Sequence, residues 1–289
     1  MADPTVEISD SRLAQVGALQ VRRALPKKGR RTVGAWCFVD HAGPASTGFD
    51  VAPHPHIGLQ TVTWLLEGEI VHRDSLGSEQ LIRPGELNLM TAGSGIAHSE
   101  ERTGQYEGTF HAVQLWVAQP RETRDTESAF EHLAELPQAE LDGAVATVLV
   151  GEIAGAASTA RRDTEHVGVD LDLHGAVTTV PLRPDFEYAL VAFTGATRVD
   201  GQVVEPGHLA YLGSGRDELQ LETPEATRAL LIGGIPFDEP ILMWWNFVAR
   251  TQDEMTEAYD AWMAGEERFG PVDSELPKIK VEPPPWAAH

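Results

Sequence analysis

The sequence predicts an all-β fold built from two related barrels, and three observations lead to it. One is the run Thr61-Val62-Thr63-Trp64-Leu65-Leu66, β-branched and apolar, which stops at the turn signal Glu67-Gly68. Another is an internal repeat. Ile82-Arg83-Pro84-Gly85-Glu86-Leu87-Asn88-Leu89-Met90 leads to Ala92-Gly93-Ser94-Gly95, and Val204-Glu205-Pro206-Gly207-His208-Leu209-Ala210-Tyr211-Leu212 leads to Gly213-Ser214-Gly215. A Pro-Gly turn, an alternating strand and a Gly-Ser-Gly break thus recur in the same order. The third is the spacing of Pro53-His54-Pro55-His56 and of His98-Ser99-Glu100, where polar donors stand two residues apart, the period of one strand face.

A chain of 289 residues has room for two domains with a core each. The repeat divides it into 1–136, which carries the histidine pairs, and 137–289, which does not. Forty-four acidic against 22 basic residues leave a net charge of −22. That charge repels phosphate backbones and anionic membranes, so direct nucleic-acid binding and a membrane role are not expected. The start Met1-Ala2-Asp3-Pro4 shows no export pattern, and no stretch approaches the length of a membrane span. A cytoplasmic protein is expected. Cys37 is the one cysteine, flanked by Trp36 and Phe38 in a strand-like run, and is expected to be packed in the core.

Between the repeats, Ala129, Phe130 and Leu133 read as one face of a short linker helix over 125–136, stopped at Pro137. Laying the second copy on the first puts Pro181 opposite His54, Arg183 opposite His56, Glu218 opposite His98 and Gln220 opposite Glu100, so that copy is expected to hold no metal in this way. Thr251-Gln252-Asp253-Glu254 is a capping box, followed by Met255, Ala258, Tyr259, Trp262 and Met263 at helical spacing before Gly265. An amphipathic helix packed on a barrel is expected there. The proline-rich residues 271–286 read as extended or disordered.

The two pairs carry the chemistry. Residues two apart in a strand lie about 6.6 Å apart on one face, at roughly 3.3 Å per residue, so pairs on facing strands can close around one ion. Neutral imidazoles offer lone pairs and a carboxylate adds charge, so His54, His56, His98 and Glu100 suit a divalent first-row ion. Bound iron or manganese keeps positions open for water, dioxygen or a substrate oxygen, whereas zinc in a four-ligand shell is closed and structural. Glu101 is off-parity and expected to be solvated. Gln60 shares parity with His54 and His56, so it is placed at a substrate pocket, orienting a ligand without coordinating; a lining residue without chemistry is the alternative. His72 and His111 are assigned to packing or local hydrogen bonds.

With these residues in view, the chain resembles the pirin family of the cupin superfamily. The resemblance rests on "PHPHIGLQTVTWLLEG", "LMTAGSGIAHSEE", "VRRALPKKGRRTVGAWCFVDHAGP", "QLWVAQP" and "MWWNFVARTQDEM", and it runs nearly end to end. It implies two stacked cupin barrels with one Fe(II) in the N-terminal barrel, held by His54, His56, His98 and Glu100. Many pirins carry an acidic residue where Gln60 stands and an arginine where Ile57 stands, so the pocket rim differs while the ligand set is kept.

Family resemblance implies an oxidoreductase of the quercetin 2,3-dioxygenase type, opening a flavonol-like substrate with dioxygen; in such an enzyme Glu100 is expected also to accept the substrate proton. The alternative it implies is a metal- or redox-dependent regulator acting on a protein partner. A third reading is an ion that only ties two strands together.

Overall fold

In the computed structural model, the described residues are 5–46, 49–104, 106–174 and 177–287. The chain forms two compact units, each assembled from separate stretches: 1–14, 22–41 and 135–237 in one, 15–21, 42–134 and 238–289 in the other. The boundary at 134/135 lies close to the cut expected at 136/137, but residues 1–14, 22–41 and 238–289 each fall with the other half. Trp36 accounts for the exchange of 22–41. Its indole is fully buried and its Nε1 donates to the carbonyls of Val167 at 3.0 Å and Gly233 at 3.2 Å, while Gly168 leaves room for the ring. Cys37 is buried beside it, as expected.

The unit holding the histidines is built on two antiparallel sheets. One runs in the order Asp50–His56, Ile96–Arg102, Ile70–Asp74, Glu79–Ile82. The other includes Ala129–Leu133, Leu87–Thr91, Leu59–Glu67 and Phe110–Ala118 in that order. Side chains from the two meet inside: Thr63 reaches Glu100, Trp116 lies edge-on to His56, and Phe130 stacks on His72 with ring centroids 4.4 Å apart. Ala129–Leu133 is therefore a strand, correcting the expected linker helix. Three apolar residues within five positions do not distinguish the two periods, and pairing with Leu87–Thr91 satisfies the backbone on that side.

The same unit takes the helix Gln252–Ala264, expected from its capping box. Thr251 accepts from the Glu254 amide, and Gly265 closes the helix at φ 76°. Glu254 accepts from the Arg250 amide at 2.9 Å and from Arg124 Nη2 at 2.6 Å. Met255, Ala258, Ala261 and Trp262 pack against Ile57, Ala97, Phe247 and Phe269. Gly58 stands at φ +65° with its Cα so close to the Val248 carbonyl that a Cβ would sit 2.2 Å from that oxygen, a contact only glycine permits.

Residues 271–287 form no helix or strand but are held as a strap. The Ile279 amide donates to the Pro53 carbonyl at 2.8 Å, Trp262 Nε1 to the Ile279 carbonyl at 2.8 Å, and Trp286 Nε1 to Thr256 Oγ1 at 3.1 Å. Trp262 thus joins helix, strap and barrel. Trp262→Ala is expected to cost about 3–5 kcal/mol, the range for truncating a buried aromatic, measured as a shift of the urea unfolding midpoint.

The second unit repeats the plan with a different interior. Its larger sheet runs Glu7–Asp10, His208–Ser214, Glu187–Thr194, Thr227–Gly234, His166–Leu173, Ala144–Val150, Gln138–Leu141, and a smaller one runs Val177–Pro181, Glu218–Glu222, Thr197–Val199, Gln202–Val204. Pro181 pairs with Glu218 as His54 pairs with His98. Yet Pro181, Glu218 and Gln220 are exposed, and Val180, Leu219 and Leu221 fill the core instead. The counterparts of the histidines in this barrel therefore lie on the outer face of their strands. The inward positions of these strands are mainly aliphatic. No helix among the described residues is long and apolar enough to cross a membrane.

Candidate metal centre

Local sequence explains how the histidines reach the interior. Asp50–His56 is an edge strand, paired on one side with Ile96–Arg102. Prolines lack an N–H and are tolerated where no ladder bond is needed. The Pro53 carbonyl points to that free edge, accepting from Ile279, and Pro55, two residues on, shares the same edge. His54 and His56 then share the inner face. His98 lies directly opposite His54, and the inner face of the next strand adds Asp74 opposite His98 and His72 opposite Glu100.

His54, His56 and His98 come together. One nitrogen from each lies within 4.8 Å of the others, and the rings are buried, with His54 at 6% the most exposed and the other two at 1%. Each ring is held from behind. His54 Nδ1 is 2.9 Å from the Ala52 carbonyl and His56 Nδ1 is 2.9 Å from the Asn246 carbonyl, so each Nδ1 carries the proton it donates. His98 Nδ1 is 3.3 Å from His72 Nδ1. The Nε2 atoms of His56 and His98 face each other at 3.1 Å. With both protons on Nδ1, two lone pairs confront each other there, an arrangement that a cation between them stabilises. Burial holds the His54 imidazole down to about 4 against the hydrogen bond to Ala52, and burial holds His56 and His98 well below the usual histidine range. All three rings are neutral donors at pH 7. The donor set fits a first-row divalent ion.

Glu100 shares the inner face with His98 but lies outside the three-histidine group. Its Oε1 accepts from Thr63 Oγ1 at 3.1 Å, and Thr63 Oγ1 also lies 3.0 Å from Gln114 Oε1. Burial pushes the Glu100 carboxyl up, outweighing the opposing effects of His72 and of the hydrogen bond from Thr63.

Gln60 is a correction. Its parity with His54 does not carry through the turn at Ile57 and Gly58, and along Leu59–Glu67 it lies on the face opposite to Thr63, which touches Glu100. Gln60 Nε2 donates to Thr91 Oγ1 at 3.0 Å, away from the histidines. By register, Thr61, Thr63, Gln114, Trp116, Met90 and Phe130 share the inward face of that sheet. Glu101 is partly buried, accepting from Ser99 Oγ at 2.7 Å. The expected local hydrogen bonding of His72 is present, at 3.0 Å from Asp74 Oδ2, and the ring also meets His98. The sequence signal was available in Ile70-Val71-His72-Arg73-Asp74, a third i, i+2 pair.

Family models for pirin match residues 18–117 and for the pirin C-terminal cupin domain residues 168–270. A Pseudomonas aeruginosa protein that bears the name "Putative quercetin 2,3-dioxygenase" is 47% identical, over 96% of this chain and 90% of its own. A pirin-like protein of Caulobacter vibrioides is 38% identical, over 92% and 96%. The crystal structure of a quercetin 2,3-dioxygenase from Acinetobacter baumannii superposes with a TM-score of 0.91 at 44% identity, covering 97% of this chain and 96% of that one. With both domain models matched in order and relatives aligned over nearly its whole length, this chain belongs to the pirin family, two cupin domains in one polypeptide.

Proposed function

We propose that this pirin is an Fe(II)-dependent dioxygenase of the quercetin 2,3-dioxygenase type, acting on a flavonol-like substrate, with the ion held by His54, His56, His98 and Glu100. The observation that carries the reading is the convergence of three buried, neutral imidazoles whose Nδ1 atoms are tied back and whose Nε2 atoms are left for an ion. The names of the Pseudomonas and Acinetobacter relatives support the reaction class. Bound iron supplies a Lewis acid for a substrate oxygen and redox chemistry with dioxygen.

The chain's own residues do the rest. Glu100, on the inner face it shares with His98, would complete the ligand set. Because burial raises its affinity for a proton, Glu100 also serves as the base that takes the substrate hydroxyl proton at Oε1 or Oε2. Thr63, which also lies beside Gln114, donates to that carboxylate, and Trp116 and Phe130 keep water from the centre.

Iron-loaded protein mixed with quercetin in air, beside an anaerobic control, tests the reaction. Loss of the flavonol absorption with release of carbon monoxide, in air alone, is the expected result. Unchanged spectra and no carbon monoxide would rule out this substrate. Glu100→Gln is expected to lower turnover by about 10²–10⁴-fold, the range for a general base.

A further inference from the structure

Behind His98 lies a chain of polar groups that begins at a turn. Asp74 Oδ1 accepts from the amides of Leu76 at 2.9 Å and Ser78 at 3.1 Å, so the turn fixes this carboxylate as an acceptor. Although burial alone would push the Asp74 carboxyl up, hydrogen bonds from His72 and Ser78 carry it below the usual range. Its second oxygen, Oδ2, is 3.0 Å from His72 Nε2, and His72 Nδ1 is 3.3 Å from His98 Nδ1. His72 and Asp74 are both 2% exposed, and Phe130 stacks on the His72 ring at 13°.

If His98 Nε2 is left bare for an ion, as the metal reading requires, this chain has one consistent proton assignment. His98 then carries its proton on Nδ1 and donates it to His72 Nδ1. His72 in turn carries its proton on Nε2 and donates it to Asp74 Oδ2, while Asp74 Oδ1 accepts from the two amides of the turn. His98 Nε2 is left as a lone pair facing His56 Nε2. His54 and His56 reach the same state through backbone carbonyls; His98 alone depends on side chains.

We infer that Asp74 and His72 are positioning residues that fix His98 in its Nδ1–H tautomer and so set the affinity of the three-histidine centre for a divalent ion. The inference rests on the metal reading above. Outer-sphere partners of this kind orient ligating histidines and raise their basicity. What distinguishes this one is its length, an imidazole interposed between carboxylate and ligand, which makes its direction reversible by a single isosteric change.

Asp74→Asn reverses it. The Asn oxygen keeps the bonds from Leu76 and Ser78, while its NH₂ now faces His72 Nε2. His72 then carries its proton on Nδ1, against His98, and the His98 proton moves to Nε2, where the ion should sit. Titration with Co(II), followed by its visible ligand-field bands and by competition with a chromophoric chelator, reads the effect. Parent protein is expected to bind one Co(II), and Asp74→Asn to bind about 10–100-fold more weakly with the circular dichroism of its metal-free form unchanged.

His72→Phe, which keeps the stack on Phe130 but removes the acceptor, is expected to weaken binding in the same direction. A measurement that needs no variant is the ¹⁵N correlation spectrum of the metal-free parent, expected to place the His98 proton on Nδ1. Parental affinity in both variants, or a His98 proton on Nε2, overturns the inference while leaving the metal centre standing. A parent that takes up no Co(II) overturns the metal reading and the inference together.

Discussion

His56→Leu is expected to abolish metal uptake while leaving a folded chain. The leucine keeps the volume of the ring but removes one of three converging Nε2 atoms, and the loss of affinity should exceed the about 10–100-fold of outer-sphere changes. The consequence for stability has two signs. In the parent, an ion at about 1,000 times its dissociation constant adds about 4 kcal/mol to the folded state, and the variant loses that increment. In chelator, the variant no longer buries an imidazole lone pair 3.1 Å from another. The Asn246 carbonyl loses its partner in exchange, at a cost of about 1–3 kcal/mol. Thermal melts with and without Fe(II) or Zn(II) check this: a large ion-dependent rise in the parent and none in the variant. Equal rises in both would remove His56 from the centre.

Acid is expected to destabilise the metal-free chain well before its carboxylates titrate. The folded state holds His54 near about 4, while an unfolded histidine titrates near 6.5. Between those values the unfolded chain binds more protons, so stability is fully present above about 6.5 and falls as the pH drops toward about 4. For His54 alone the loss over that window is about 3 kcal/mol, at roughly 1.4 kcal/mol per pH unit. His56 and His98 act in the same direction, coupled to His54 and to each other, so the three do not add. Glu100 opposes them, because its raised carboxyl favours the folded state below the ordinary carboxylate range. Urea midpoints at pH 7 and pH 5 in chelator measure the difference. An ion raises the midpoint at pH 7 and less at pH 5, since protons compete for the same Nε2 atoms. A midpoint that does not change over this range would mean the rings are not buried as neutral bases.

Much of this centre could be read from the sequence, for reasons that also explain the misses. His54, His56 and His98 were legible because one strand face has a period of two and each pair lies within one strand. Gln60 does not follow that period, because the chain changes sheets at the turn of Ile57 and Gly58. In the second barrel, Val180 and Leu219 rather than Pro181 and Glu218 face inward. Burial of Glu100 followed from parity, but its bond to Thr63 joins two sheets and has no local signature. The terminal helix was legible from its cap and apolar face, whereas its attachment to the histidine barrel depends on the contacts of Trp262 and the strap from Pro271 onward. The pair His72 and Asp74 had the same spacing as the ligands. What set it apart was only the register that brings it beside His98 and Glu100.

Anomalous diffraction at the iron edge, on crystals of the Fe(II)-reconstituted protein, tests the metal centre most directly. One peak per chain is expected, bounded by the Nε2 atoms of His54, His56 and His98, with the Glu100 carboxylate completing the ligand set. No peak among these histidines, or a peak elsewhere in the chain, would contradict it.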